Sequence, residues 1–352
     1  MRQIQIETNP SYPVKIEKGL FKKIGKEIIP FIQGKVLVIT DENVDFHYGK
    51  EIMTLLREEN ILCDKFTISP GEESKSLEVY GEILEYMAEK DFHRNDTVIA
   101  FGGGVVGDLS GFVAASFLRG VDYIQMPTTL LAAVDSSVGG KTAINLKEGK
   151  NLVGAFKQPK AVLCDPELFI TMEKDRFLDG VAESIKYGIL RDRELFSEFE
   201  TPLTQEDDRL SSIIEKCVRH KAEVVERDEK EKGERQFLNL GHTIGHAVEK
   251  AGDYEISHGH AVAIGMAMMA RACEKLGILN SDDEDKILEI LSKNGLPLDC
   301  DYKTEDLFSK VFKDKKCKAD EITIIEIEEI GKCRLTKIPT LHFKEYIEKG
   351  RG

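Results

Sequence analysis

Over the first 160 positions, short β-rich apolar runs alternate with helical periodicities, and such alternation predicts a parallel sheet covered by helices. The amino-terminal run MRQIQIE alternates like a strand. Residues 35–40 (KVLVIT), 64–68, 97–101 (TVIAF) and 123–126 read as further strands, and 51–59 and 77–90 as helices. Beyond residue 170 the spacing turns mostly helical. Thr204-Gln205-Glu206-Asp207 reads as a capping box that opens a helix through Ile213, Ile214, Cys217 and Val218, and Ser281-Asp282-Asp283-Glu284 opens another. Residues 321–327 and 332–338, joined around Gly331, read as a hairpin. No internal repeat or low-complexity segment interrupts the pattern. The expectation is an α/β fold: a Rossmann-like parallel-sheet domain over 1–160, then a mainly α-helical domain over 161–352.

Composition narrows the class. A chain of 352 residues with 41% hydrophobic and 32% charged residues can form about two domains with substantial cores. A net charge of −14 argues against a general nucleic-acid or anionic-membrane binder, because both would repel such a surface. The uncharged apolar stretch 261–270 stops at Arg271, too short to span a bilayer, and the amino terminus has no signal-peptide core. Seven cysteines without a CxxC read as reduced thiols, which points to the cytoplasm.

The first candidate for chemistry follows the TVIAF strand. In Phe101-Gly102-Gly103-Gly104-Val105-Val106-Gly107-Asp108, the glycines 102, 104 and 107 satisfy GxGxxG, and an apolar helix is expected over 109–117. Such a turn lets backbone N–H groups approach a pyrophosphate at a helix N-terminus. The acidic residue that a Rossmann fingerprint wants about twenty positions on would be Asp122, which abuts a strand just after Arg119-Gly120. That is a poor place for a ribose contact, so the dinucleotide would be held in a different way. Next comes Asp135-Ser136-Ser137-Val138-Gly139-Gly140-Lys141-Thr142-Ala143-Ile144-Asn145, then Gly149-Lys150-Asn151-Leu152-Val153-Gly154. Gly-Gly-Lys-Thr imitates the end of a P-loop, but position 135 is Asp rather than Gly, so a Walker-type ATPase is not expected. Lysines between small residues suit phosphate or carboxylate groups of a substrate.

Four of the eight histidines fall within nineteen residues, as His242, His246, His258 and His260. Imidazole is the commonest metal ligand, and two histidines at i and i+4 share a helix face, which pairs His242 with His246. The isolated His47, His93, His220 and His342 read as surface or internally satisfied residues. A catalytic zinc takes three protein ligands and keeps one position open. With no HExxH and no cysteine at finger-like spacing, a Glu or Asp must come from elsewhere in the chain.

Taken together and in order, these motifs resemble the 3-dehydroquinate synthase family. The resemblance is carried by residues 102–154, Gly180-Val181-Ala182-Glu183-Ser184-Ile185-Lys186-Tyr187-Gly188, residues 239–246 and His258-Gly259. Upstream, Thr40-Asp41-Glu42-Asn43-Val44 and Pro70-Gly71-Glu72-Glu73-Ser74-Lys75 extend it over nearly the whole chain. The wider sugar-phosphate cyclase superfamily shares this frame, but the 135–145 segment resembles the dehydroquinate branch rather than the inosose or valiolone branches.

The resemblance implies a zinc, with cobalt as a substitute, held by Glu183, His242 and His258, and it moves His246 to the substrate. It implies NAD contacts from Asp41, Asn43, Glu72, Lys75, Gly103, Gly104, Val105, Val106, Gly107, Asp108, Thr128, Thr129 and Thr171. Asp135, Lys141, Asn151, Lys186, Lys221, Arg235, Asn239 and His246 resemble substrate contacts; Lys141 also borders the cofactor, and Lys150 lies between cofactor and substrate. Arg119 matches a position that can reach a neighbouring subunit, which implies a homodimer, and the resemblance implies a further substrate contact from one or both of Lys315 and Lys316. The implied reaction converts 3-deoxy-D-arabino-heptulosonate 7-phosphate to 3-dehydroquinate in the shikimate pathway. It proceeds by NAD-dependent oxidation, phosphate β-elimination, reduction and aldol closure. Two departures stand out: His260 where relatives often carry Glu, which offers an alternative ligand, and the untypical Phe177-Leu178-Asp179. The rival readings are a 2-deoxy-scyllo-inosose synthase type of cyclase, a metal-dependent polyol dehydrogenase that would accumulate NADH, and an NAD-binding protein without activity.

Overall fold

The computed structural model describes residues 1–229, 233–253, 255–312 and 321–352. They form two compact units: residues 1–172 with 205–229, and residues 173–204 with 233–352 as far as described. The units therefore interleave along the chain, in contrast to a single boundary near residue 160. The physical reason is the helix Leu210–Arg227, which packs on the amino-terminal strands of the first unit although it follows helices of the second.

The first unit is built on a seven-stranded sheet. Its strands are β1 (Arg2–Ile6), β2 (Tyr12–Ile16), β3 (Val36–Asp41), β4 (Cys63–Ile68), β5 (Thr97–Gly102), β6 (Asp122–Pro127) and, after a separate antiparallel hairpin of β7 (Lys141–Leu146) and β8 (Gly149–Phe156), β9 (Ala161–Cys164). The order is β1-β2-β9-β6-β5-β3-β4, parallel except for β1 against β2. Near-continuous apolar runs in β3 and β5 are what a sheet covered on both faces requires. Leu37, Ile39, Val98 and Ala100 pack with Ile83 and Met87 of the helix Leu77–Glu89 and with Val106, Leu109 and Val113 of the next helix, Gly104–Ser116. The intervening Val36, Val38 and Ile99 are equally buried.

Strand order reverses between β3 and β5: from β3 the chain moves to one edge, from β5 toward the other. In open α/β sheets ligands bind at such a switch point, beyond the carboxyl ends of the strands. The Gly104–Ser116 helix starts earlier than the apolar pattern from residue 109 suggested, because the glycines themselves form its first turn. The capping box at 204–207 does not open a helix. Asp207 instead binds the backbone N–H and guanidinium of Arg209, Gln205 donates to the carbonyls of Phe169 and Met172, and the helix begins at Leu210.

The second unit is mainly helical. Its central helix, His258–Lys275, is buried along almost its whole length and packs against the helices Lys174–Arg191, His242–Ala251, Ser281–Lys293 and Phe343–Lys349 and against the hairpin of β10 (Glu321–Glu329) and β11 (Lys332–Pro339). No helix among the described residues is long and apolar enough to cross a membrane. The Ser281–Lys293 helix is capped by Asn280, whose side chain accepts from the Asp283 N–H, one residue before the expected start.

Candidate active site

Each unit carries one cluster of the side chains singled out by sequence. In the first, they collect at the carboxyl ends of the strands. Asp41 ends β3 and accepts the N–H groups of Asn43 (3.0 Å) and Val44 (3.1 Å); burial raises its pKa above the ordinary carboxylate value against those bonds. Glu72 and Lys75 follow β4, and Thr128 and Thr129 follow β6. Thr171 closes the turn Pro166–Thr171 after β9, where its hydroxyl meets Tyr48 Oη at 3.1 Å. Gly103 to Gly107 start the helix after β5. At Gly107 a Cβ would lie 2.7 Å from Gln125 Oε1, so this glycine lets the helix sit close on β6, while Gly103 and Gly104 leave the turn uncovered but for Thr129 and Ser136.

Lys75 is 4% exposed and joins the segments: its Nζ lies 2.5 Å from Asp108 Oδ2 and 2.5 Å from Asn151 Oδ1. Burial pushes the Asp108 carboxyl upward, and the Lys75 ammonium opposes that shift. Asn145 donates to Glu72 Oε1 at 2.7 Å and accepts the Asn151 N–H at 2.8 Å. Asp135 receives the buried Lys221, whose Nζ lies 2.8 Å from Oδ1 and 2.6 Å from its carbonyl oxygen. Lys141 and Lys150 are exposed on the β7–β8 hairpin, and Arg119 is exposed just past the Gly104–Ser116 helix with a positive φ of 70°. The basic, glycine-rich run continues into this hairpin, with Gly139 and Gly140 at positive φ before it.

In the second unit, Glu183 sits mid-helix with no exposed surface, although its sequence context resembles that of a surface residue. His242 and His258 are the first residues of their helices. Backbone contact brings these helices together: a Cβ on Gly265 would lie 2.0 Å from the Gly241 carbonyl oxygen, and Gly241 itself has a φ of 76°. Glu183 Oε1 lies 3.5 Å from His242 Nε2 and 3.6 Å from His258 Nε2. Ligand atoms about 2.1 Å from a tetrahedral ion sit about 3.4 Å apart, so this spacing fits a divalent metal. The outer nitrogens are also engaged. His242 Nδ1 faces the Leu240 carbonyl at 3.1 Å and must donate to it, which turns the lone pair of Nε2 toward Glu183. His258 Nδ1 faces Glu249 Oε2 at 3.5 Å.

Burial, followed by the Lys186 charge, pushes His242 down to about 3, so its ring is the neutral form a metal needs. At His258 burial also acts downward, but hydrogen bonds to Glu183 and Glu249 raise it to about 10; a proton and a cation compete for this ring. Lys186, almost fully buried, pairs with Glu183 one turn away.

Two groupings among the described residues could hold an ion: Glu183, His242 and His258, and separately His246, Glu249 and His258. His246 belongs only to the second, and His260 to neither. Arg235 is buried and Asn239 half-buried on the turn Glu234–Asn239. Lys315 and Lys316 lie outside the described residues. Sequence reasoning missed Glu249, which shares the face of His242 and His246 at i+7 and is 6% exposed.

Comparison with known proteins agrees with this geometry. The 3-dehydroquinate synthase N-terminal family matches residues 65–179 and the 3-dehydroquinate synthase C-terminal family residues 180–317. A 3-dehydroquinate synthase from Clostridium acetobutylicum is 42% identical over 354 residues, covering 99% of both chains. The crystal structure of a 2-deoxy-scyllo-inosose synthase with carbaglucose-6-phosphate, NAD+ and Co2+ superimposes with a TM-score of 0.86 at 25% identity, over 99% of this chain and 100% of that one. The 2-epi-5-epi-valiolone synthase of Streptomyces hygroscopicus, with NAD+ and Zn2+ bound, shares the fold at a TM-score of 0.88 and 23% identity, over 96% of this chain and 95% of that one. The chain belongs to the 3-dehydroquinate synthase family.

Proposed function

We propose that this chain converts 3-deoxy-D-arabino-heptulosonate 7-phosphate to 3-dehydroquinate and phosphate, using NAD and a divalent metal. One observation carries the reading: a buried glutamate faces two imidazole nitrogens at 3.5 and 3.6 Å in a chain 42% identical, end to end, to a 3-dehydroquinate synthase. When bound, NAD supplies a hydride acceptor that later returns the hydride, and the metal supplies Lewis acidity at the reacting hydroxyl. Glu183, His242 and His258 would be the metal ligands.

The remaining roles belong to the chain's own groups. Asp41, Asn43, Glu72, Lys75, Asp108, Thr128, Thr129 and Thr171, with the glycine turn, hold the dinucleotide. Lys141, Lys150, Asn151, Lys186, Lys221, Arg235, Asn239 and His246 bind a substrate that carries both carboxylate and phosphate, and cations on an otherwise acidic protein attract it. Lys221 fixes the Asp135 carboxylate toward the substrate. Oxidation at C5 acidifies the neighbouring C–H, phosphate leaves by β-elimination, and the returned hydride precedes ring opening and intramolecular aldol closure. Each turnover therefore ends with NAD in its starting oxidation state.

Zinc is the metal of this reading, since imidazole and carboxylate suit it, and cobalt would substitute. A homodimer is part of this reading, with the exposed Arg119 reaching the site of a second copy. The six cysteines among the described residues are thiols outside any disulfide, which suits the cytoplasm. The test offers the heptulosonate phosphate with substoichiometric NAD+, and glucose 6-phosphate in parallel. Phosphate release well beyond the NAD+ supplied, from the first substrate alone, is the expected result. Release that stops at one equivalent with NADH accumulating would mean a dehydrogenase, and turnover of glucose 6-phosphate an inosose synthase.

A further inference from the structure

His260 lies against Asp179, the last residue of the Phe177-Leu178-Asp179 segment. Asp179 Oδ1 accepts three donors: Ser257 Oγ at 2.5 Å, the backbone N–H of His260 at 3.2 Å, and His260 Nδ1 at 2.9 Å. Ser257 Oγ also lies 2.7 Å from His260 Nδ1. The aspartate is 3% exposed. Because a carboxylate only accepts, Nδ1 carries the proton of that contact.

The His258–Lys275 helix begins here. Ser257 is its N-cap residue, yet the serine hydroxyl makes no cap bond. A first-turn N–H is instead satisfied by Asp179, from a different helix, and a carboxylate suits the positive end of the helix dipole. Asp179 lies one turn before Glu183 on the helix Lys174–Arg191, so the two carboxylates share a face. One meets the start of the His258 helix and the other meets His258 itself. The helices also touch at this point: a Cβ on Gly259 would lie 2.2 Å from Asp179 Cα.

We propose that Asp179, Ser257 and His260 form a clamp that fixes the start of the His258 helix and thereby holds His258 Nε2 opposite Glu183. They are positioning residues, and His260 is kept from the metal rather than added to it. The inference rests on the reading that Glu183, His242 and His258 hold a divalent ion. Its mechanism is geometric. A helix start free to shift by a fraction of an ångström changes the 3.6 Å spacing between ligand atoms.

The test titrates the metal-free full chain with Co2+, following the visible d–d absorption and competing with a chromophoric chelator. His260→Ala should weaken Co2+ binding by about tenfold or more, the size of effect typical for groups that orient metal ligands, and alter the d–d band. His260→Asn, whose amide N–H can stand in for Nδ1, should restore both. Asp179→Ala should lose at least as much, and the two losses should not add, because both remove one clamp. If Asp179→Ala does not fold, Ser257→Ala provides the second variant, with a smaller loss in the same direction. Wild-type affinity and spectrum in folded His260→Ala would overturn the clamp. If wild-type protein takes up no Co2+, or if uptake survives Glu183→Gln, the metal reading itself falls, and the clamp with it.

Discussion

The two ring nitrogens of His258 face two different buried carboxylates, Glu183 at 3.6 Å from Nε2 and Glu249 at 3.5 Å from Nδ1. An imidazole held in this way has its orientation set before any ion arrives, as in the carboxylate–histidine–metal arrangements of many metal sites. Glu249→Ala should therefore weaken metal binding by about 10- to 100-fold without removing a ligand, and Glu249→Gln by less, because its amide oxygen still accepts from Nδ1. Competition titration with a chelator measures this. An Ala variant with wild-type affinity would show that the Glu183 side alone orients the ring.

His246→Ala separates the two possible ion sites. If the ion sits with Glu183 and His242, this variant keeps its metal and loses turnover, whereas metal loss would favour the His246, Glu249 and His258 grouping. Metal content by elemental analysis, alongside phosphate release, decides between them.

Gly265→Ala tests the backbone contact that brings His242 toward His258. The new methyl would meet the Gly241 carbonyl oxygen at 2.0 Å, and a backbone atom cannot swing aside as a long side chain can. Overpacking of this kind costs about 1–3 kcal/mol, and here it should also lower metal affinity. A melting temperature and an affinity both equal to wild type would show that the helices can separate at no cost.

What the sequence revealed depends on whether a residue type is demanded locally. The turn at residues 102–107 was legible because close backbone approach requires glycine, and β3 and β5 were legible from unbroken apolar runs. Glu183 was not, since its burial comes from helices that arrive from distant parts of the chain, and nothing in its neighbours predicts that. The i,i+4 rule linked His242 to His246 because it sees one helix only. The structure places His258, from the next helix, beside Glu183 instead. The segment 204–207 has a capping-box sequence, but tertiary hydrogen bonds of Gln205 and the Asp207–Arg209 pair take the groups that a cap would use. The β7–β8 hairpin is not legible in the sequence because its glycines mask the alternation that strands normally show.

Lys75 pairs with Asp108 in the first unit and, in the proposed function, also holds the dinucleotide, and variants test the two parts. Lys75→Met leaves the Asp108 carboxylate without the ammonium 2.5 Å away, in surroundings that already push its pKa upward. Both stability and NAD binding should fall. Adding Asp108→Leu removes the stranded carboxylate and should recover stability, because replacing both members of a buried pair is far milder than removing one. NAD affinity should stay low in the double variant. Thermal melts with and without NAD give both quantities. Recovered NAD binding would mean that neither Lys75 nor Asp108 holds the dinucleotide and that the pair serves the fold alone.

The last prediction concerns acid stability in the second unit. Glu326, 2% exposed on β10, accepts from Thr336 Oγ1 at 2.6 Å, Arg334 Nε at 2.7 Å and the Tyr346 hydroxyl. Burial acts to raise its pKa, but these hydrogen bonds outweigh it, so the carboxyl titrates below its ordinary 4.5. A group with a depressed folded-state pKa contributes stability that is fully present above the ordinary value and is lost as pH falls through the folded one. Glu326→Gln should cost about 1.5–3 kcal/mol at pH 7, the range for hydrogen bonds to a charged group. The gap in melting temperature between wild type and variant should then narrow below 4.5 and close as the pH passes the folded-state value. Melts at a series of pH values measure it, and a gap that stays constant down to pH 3 or widens on acidification would mean that the charge of Glu326 is not what stabilises the hairpin against Tyr346.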